Sequence, residues 1–358
     1  MRIALLGAGN LAFGYAAYFA HAGHTITMWS PSGAGTAGID DGIQYHGALS
    51  GSASVTVRRI IGEAVAGAEA VVFALPANAH RAAMTAAAPH LTNNHTVLVT
   101  PVSALSPLTL ARALAARGVQ PTIICSGTTL LTARKQGPCA VEVLTLRNSI
   151  GIAALPARHN DVALKFCRDL CGERFTLQDD LLAVSLSNLN PIAHVPLMLC
   201  NLTRVEKAER WAIYDCMGGG VATLMQAIDA ERLAVMAGFG MTGRGIVEHF
   251  HHSFGVPRGE FAKMAAAVHA QRGGPAGPVT LDTRFILEDV PYGLVFFAAM
   301  GHMAQVATPV IDACITLCCA IYAHDFRGEN TLIDTLCADA IDAAQLLALA
   351  RDGYSPGT

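Results

Sequence analysis

Charge and aromatic side chains are scarce in this sequence: Asp, Glu, Lys and Arg make up 14% of 358 residues, Phe, Trp and Tyr 6%. There is no basic excess, and a net charge of −3 argues against a nucleic-acid binder. No Cys-x-x-Cys pair occurs among the ten cysteines. Most of them sit in apolar stretches, where the thiol behaves as a small hydrophobe, so the expectation is a reducing cytoplasm. Mean hydropathy is positive, yet no run of 18 uncharged apolar residues is found and no membrane association is expected. Met303 to Ala323 is the nearest candidate, and its Gln305, Pro309 and Asp312 make it a buried helix. A signal peptide is not expected, because the apolar start at Ile3 to Leu6 runs straight into a glycine loop.

Metal-ligand spacing is missing too. Glu248-His249-Phe250-His251-His252 lacks the H-E-x-x-H interval, and adjacent residues diverge around a helix, so a solvated helix end is the better reading. Cys167 and Cys171 share a helical face with no third ligand nearby and are read as core. No metal is expected.

The chain is long enough for two domains. Met1 to Leu6 reads as a buried parallel strand, Gly7-Ala8-Gly9-Asn10-Leu11-Ala12 as a glycine loop opening a helix to about Ala22, and Thr25 to Trp29 as the next strand. That order is what a Rossmann unit requires. Gly7 makes the turn, Gly9 lets backbone amides reach a pyrophosphate, and Ala12 allows close helix packing, with the helix dipole aimed at the phosphates. The end of the second strand usually carries an acid for the ribose hydroxyls; here it is Ser30, with no Arg or Lys between Arg2 and Arg58 to attract a 2′-phosphate. The cofactor is therefore NAD or NADP, with a lean to NADP.

Strands are also expected at Ile43 to Leu49, Ser54 to Val57, Ala70 to Leu75, Thr96 to Val102 and Thr122 to Ser126, with helices between them. The strand ending at Leu75 and Pro76 should border the cofactor. Ala140 to Leu146 and Ser149 to Leu155, joined at Arg147-Asn148, read as a hairpin that extends the sheet. Thr128, in the Gly127-Thr128-Thr129 stretch just after a strand, can touch substrate or nicotinamide or serve in a simple loop. After Asp179-Asp180 the pattern is almost wholly helical. The expectation is a dinucleotide-binding Rossmann domain over 1–180, with an extended and mostly parallel sheet, followed by an all-α domain over 181–358.

Residues 185 to 201 carry Asn188, Asn190, His194 and Asn201 in an otherwise apolar run. With Asn190 as N-cap and Pro191 as first helical residue, His194 lies one turn in, and Asn190 and Asn201 fall within about 40° of it on one face. One imidazole between neutral amides suits proton transfer near neutral pH. Burial statistics alone favour a histidine satisfied by a backbone carbonyl. Further on, Arg284 can clamp a carboxylate and Asp289 can orient a histidine, against the alternative of a helix-capping ion pair.

Taken together, these residues resemble the octopine, nopaline and related opine dehydrogenases, including the N-(1-carboxyethyl)-norvaline type. The match is collinear over essentially the whole chain. It comprises the glycine loop, Asn188-x-Asn190-x-x-x-His194 with Asn201, Asp229-Ala230-Glu231-Arg232, Gly277-Pro278 through Thr283-Arg284 to Glu288-Asp289-Val290 and Gly293, Thr308-Pro309-x-Ile311-Asp312, and Asp325-Phe326-Arg327. The resemblance implies NAD(P)H-dependent condensation of a 2-oxo acid, such as pyruvate, with the amino group of an amino acid, and the reverse oxidation. It implies His194 as the acid/base, Asp289 as its partner and Arg284 on a substrate carboxylate; Asn190 and Asn201, on the face of His194, are read as lining or bracing the substrate site, and Thr128 as a further substrate contact. A homodimer is kept as an expectation that no residue carries. Two other readings stay open: a 2-oxo acid reductase of the ketopantoate or 3-hydroxyacid type, which commonly uses a lysine that is absent here between Lys165 and Lys207, and a non-catalytic dinucleotide sensor.

Overall fold

The first strand, β1 (Arg2–Leu6), is apolar on both faces, as a strand covered on both sides must be. In the computed structural model, which describes residues 1–39, 42–338 and 341–355, β1 lies inside an eight-stranded sheet. The other strands are β2 (Thr25–Trp29), β3 (Ile43–Gly47), β4 (Gly51–Ala53), β5 (Val55–Val57), β6 (Ala70–Phe73), β7 (Thr96–Val99), β8 (Thr122–Ser126), β9 (Leu131–Lys135), β10 (Ala140–Leu146), β11 (Ile150–Leu155) and β12 (Phe175–Leu177). The main sheet runs β12-β11-β8-β7-β6-β1-β2-β5, with β11 antiparallel to β8 and every other pair parallel. A smaller sheet runs β4-β3-β10-β9.

The Rossmann-type domain is thus present, but the hairpin expected across Arg147-Asn148 is not. β10 pairs with β3 and β9 in the small sheet, whereas β11 pairs with β8 and β12 in the large one. Both are short runs with strand-forming residues on either side of a turn-like Arg147-Asn148, and that local pattern does not reveal that they serve different sheets, although β10 alternates while β11 is buried almost throughout. The small sheet covers the helix Asn10–His21, which also packs on β1 and β2. This double cover explains why Phe13, Tyr15, Ala16 and Phe19 are buried around more than one face. At Gly14 any Cβ would lie 2.4 Å from Leu131 Cδ1 and 2.7 Å from Ala133 Cβ, so β9 approaches the helix as closely as backbone allows.

Contacts divide the described chain into one unit of residues 1–185 with 344–355 and another spanning 186–343. The helical domain expected to run to 358 therefore loses its last helix, Ala343–Asp352. Leu346 and Ala350 are buried, and the following Tyr354 ring lies 5.8 Å from the Arg112 guanidinium of the first unit. The run Leu181–Cys200 has the length and hydropathy of a membrane span, but 67% of it is buried in the fold, as in a core helix. It is also interrupted at 187–189, between the helices Leu181–Leu186 and Asn190–Cys200.

The second unit is organised on the 20-residue helix Gly219–Gly238, which packs on Asn190–Cys200, Val295–Met303 and Pro309–Tyr322. Its Asp229-Ala230-Glu231-Arg232 segment works as a junction. Arg232, fully buried, donates to Asp229 Oδ1 at 2.9 and 2.7 Å, to the Leu186 carbonyl at 2.9 Å and to the Arg244 carbonyl at 2.8 Å. The other Asp229 oxygen accepts the Ile246 amide at the start of helix Ile246–Phe254. Glu231 accepts the Val310 and Ile311 amides at 2.7 and 2.9 Å, satisfying two orphan donors of helix Pro309–Tyr322. Removing a buried partner strands the opposite charge, so Arg232→Ala is expected to cost about 3–5 kcal/mol of unfolding free energy. Denaturant unfolding measures this; a loss under about 1 kcal/mol would show the junction to be dispensable.

Candidate active site

The helix Asn190–Cys200 starts one residue earlier than the sequence pattern suggests. Leu189 is the N-cap, Asn190 the first helical residue and Pro191 the second. Asn188, not Asn190, supplies the capping side chain: its Oδ1 accepts the Asn190 amide at 3.0 Å. This correction leaves the Asn190 carboxamide without a protein hydrogen bond among the described residues, half-buried on the first turn. His194 follows one turn on.

Opposite it, Thr283 caps the short helix Arg284–Leu287 through its Oγ1, which accepts the Phe285 amide. A π-helical turn, Val290–Leu294, comes next, its i→i+5 bonding shown by the Leu294 amide donating to the Asp289 carbonyl at 3.0 Å. Gly293 is pressed onto Pro191 so closely that a Cβ would stand 2.2 Å from Pro191 Cγ. The contact docks the π turn against the start of the histidine helix. Asp289, at the head of the turn, then meets His194: Nδ1 to Oδ2 is 2.6 Å across 95 residues of sequence. The two side chains are 14% and 8% exposed, so the bond is shielded from most solvent. With Nδ1–H donated to the carboxylate, Nε2 is the atom left to take up or release a proton, and it has no protein partner among the described residues.

Phe285 stacks on the imidazole, ring centroids 3.7 Å apart and 3° from parallel. It fixes the ring plane that Asp289 fixes in rotation. Nothing in the sequence singles it out; only its place between Arg284 and Asp289 hints at it. The Arg284 guanidinium lies 6.0 Å from the same phenyl ring, exposed, and makes no ion pair among the described residues. The alternative of a capping ion pair is therefore not what the structure holds, since Thr283 does the capping. Asn201 is not brought to this cluster. It ends the helix about 10 Å along the axis from His194, with its Nδ2 donating to the Leu197 carbonyl at 3.0 Å.

In the other unit, Gly7 has φ +139°, and a Cβ there would stand 2.2 Å from the Ala74 carbonyl oxygen. Gly9 opens the helix Asn10–His21 with no side-chain cap and nothing within 4 Å of its Cβ direction. Orphan amides of the first turn at Asn10, Leu11 and Ala12 beside an open face suit an anion, so these residues fit a dinucleotide pyrophosphate. Ser30, at the end of β2, is buried with its Oγ 3.4 Å from Thr36 Oγ1. Past β6, Leu75 and Pro76 lead into the helix Ala77–Ala87. His80, missed in the sequence because a lone histidine in an alanine-rich helix carries no signal, holds that corner. Its Nε2–H donates to the Leu75 carbonyl at 3.1 Å and its Nδ1 accepts from Ser106 Oγ at 2.8 Å. The Thr128 carbonyl accepts from Ser126 Oγ at 2.5 Å in the loop after β8.

Among the described residues no group of three or more His, Cys, Asp or Glu could hold a metal. Glu248 pairs instead with His252 at 2.6 Å and Arg258 at 2.5 Å. Cys167 and Cys171 are buried, and burial raises both thiols, Cys167 to about 12.

The family model for the alpha-helical domain of NAD/NADP octopine/nopaline dehydrogenase matches residues 177–322, and that for the NAD-dependent glycerol-3-phosphate dehydrogenase N-terminus matches residues 2–113. An opine dehydrogenase of Arthrobacter sp. (strain 1C) is 28% identical over 347 residues, covering 95% of this chain and 96% of that protein. Two similar solved structures share the fold. Octopine dehydrogenase with NADH and L-arginine has a TM-score of 0.76 at 16% identity, covering 90% of each chain. Yersinopine dehydrogenase with NADP+ bound has a TM-score of 0.72 at 16% identity, covering 98% of this chain and 97% of its own.

Burial, partly offset by the bond to Leu75, lowers His80 from 6.5 to about 4. Its folded value lies below its unfolded one, so its share of stability is complete above pH 6.5 and is lost as the pH falls from there towards 4. Relative to His80→Gln, the wild type is expected to lose roughly 3 kcal/mol across that window. Parallel pH dependences of the two unfolding free energies would defeat the assignment.

Proposed function

We propose that this chain, an opine dehydrogenase homologue carrying the alpha-helical domain of the NAD/NADP octopine/nopaline dehydrogenases, joins a 2-oxo acid to the amino group of an amino acid by reduction. The observation that carries the reading is the His194–Asp289 pair with its free Nε2, stacked on Phe285, whose ring lies 6.0 Å from an arginine that makes no ion pair among the described residues. The amine adds to the carbonyl carbon, the carbinolamine loses water, and the imine takes a hydride at carbon and a proton at nitrogen. When bound, the reduced nicotinamide supplies the hydride.

His194 handles the protons. Its imidazolium gives one to the departing hydroxyl, and its neutral form accepts one from the attacking amine. Asp289 holds the ring in a single orientation and favours the imidazolium as it forms. Phe285 keeps water from one face of the ring. Arg284 binds a substrate carboxylate with two parallel hydrogen bonds, and the Asn190 carboxamide supplies a neutral contact one turn before His194. Pyruvate, bound by octopine dehydrogenase in a related structure, is the first 2-oxo acid to try. The amino acid is left to assay, as is any contact from Thr128. Ser30 in place of an acid favours NADPH over NADH, and the free cysteines, nine among the described residues, suit a cytoplasmic enzyme.

The test is cofactor oxidation in a matrix of 2-oxo acids against amino acids, run with NADH and NADPH. Oxidation that needs both substrates is expected; turnover with a 2-oxo acid alone, undiminished without amine, would sink the reading in favour of a simple oxo-acid reductase. His194→Ala should lower kcat by about 10² to 10⁴ with cofactor binding retained. Near-normal turnover in that variant would remove His194 from the chemistry. Arg284→Ala should raise KM for one of the two substrates by about tenfold or more, and unchanged KM values for both would deny it the carboxylate.

A further inference from the structure

Lys135 ends β9 and reaches the glycine loop from the small sheet. Its amide donates to Asn10 Oδ1 at 2.9 Å, and its ammonium lies 3.2 Å from the Gly35 carbonyl, 3.4 Å from the Ala8 carbonyl and 3.7 Å from the centre of the Phe13 ring. Among the described residues it makes no ion pair, so a half-buried cation is held by neutral dipoles alone. Desolvation lowers its pKa, and an anion beside it would relieve that penalty.

The surroundings identify which anion fits. A Cβ on Gly35 would lie 2.7 Å from Ala8 Cβ and 3.7 Å from Ser30 Oγ, so Gly35 packs between the glycine loop and the end of β2. Lys135 sits on that carbonyl, close to the place where an acid commonly binds ribose hydroxyls and where Ser30 stands instead. The β2–β5 register sets Met28 opposite Val57, and the Trp29 indole donates to the Arg59 carbonyl at 3.2 Å. Exposed Arg58 and Arg59 therefore flank the same strand end.

We infer that Lys135 is the specificity residue for NADP, pairing its ammonium with the 2′-phosphate of the adenosine ribose. This rests on dinucleotide binding at the Gly7 loop. The lysine is 105 residues from Ser30 in sequence, and only the pressing of β9 onto Gly14 brings it there.

Calorimetric titration of the full chain with NADP+ and NAD+ tests the inference without relying on turnover. Wild type is expected to bind NADP+ about tenfold or more tightly than NAD+. Lys135→Met should lose most of that preference while NAD+ affinity stays within about twofold, and Lys135→Arg should keep it. Equal weakening of both cofactors would overturn the inference, because a loop-shaping or pyrophosphate role affects the two alike; so would an unchanged ratio. If Lys135→Met melts before titration, preference of wild type for 2′,5′-ADP over 5′-ADP, kept by Lys135→Arg, carries the same decision, and its absence overturns the inference. Binding of neither NADP+ nor NAD+ to folded wild type would instead defeat the dinucleotide reading from which the inference starts.

Discussion

A guanidinium sealed from water must find every partner inside the protein, and Arg232 draws its partners from three separate stretches of chain. Its bonds to Asp229, to the Leu186 carbonyl and to the Arg244 carbonyl tie the central helix to the segment entering the histidine helix and to the loop ahead of Ile246. Glu231, one residue away, fixes the start of Pro309–Tyr322. These are motif residues of the family resemblance, and their task in the structure is architectural. The buried charge is costly, but its geometry leaves one arrangement of helices in which every donor is met.

On that framework the candidate active-site cluster is assembled from two neutral devices and one charged one. Gly293 against Pro191 sets the distance between the π turn and the histidine helix, Phe285 sets the plane of the imidazole, and Asp289 sets its proton. A π turn has one more residue per turn than the adjoining α-helix supplies, and that extra residue redirects what stands at its head. Asp289 occupies that head.

Much of the first unit was legible because a strand, a glycine loop and a helix are local patterns: the loop at Gly7 and, β4 excepted, the strands through β8 follow from such patterns alone. The small sheet was not, since β9 and β10 look like any other short strands and their pairing with β3 is a long-range choice. Lys135 was invisible for that reason. In the helical unit, His194 stands out as the one titratable side chain in an apolar run, and Asp289 and Arg284 are conspicuous as charges near a helix start. The 2.6 Å contact between His194 and Asp289 has no local signature, and neither does the stack with Phe285. Asn190 shows a finer limit: the pattern offers it as the cap, but the helix begins at Asn190 itself, and its amide is taken by the Asn188 side chain.

The return of Ala343–Asp352 to the first unit makes that unit discontinuous in sequence, with the helical unit inserted as a closed loop. Both ends of residues 186–343 are held by a body they do not belong to. Closing so long a loop removes entropy from its unfolded ensemble by an amount that grows only logarithmically with length, on the order of a few kcal/mol. The first unit thus acts on the second much as a covalent staple would, while a fragment cut at residue 185 would leave its own core without the helix that completes it.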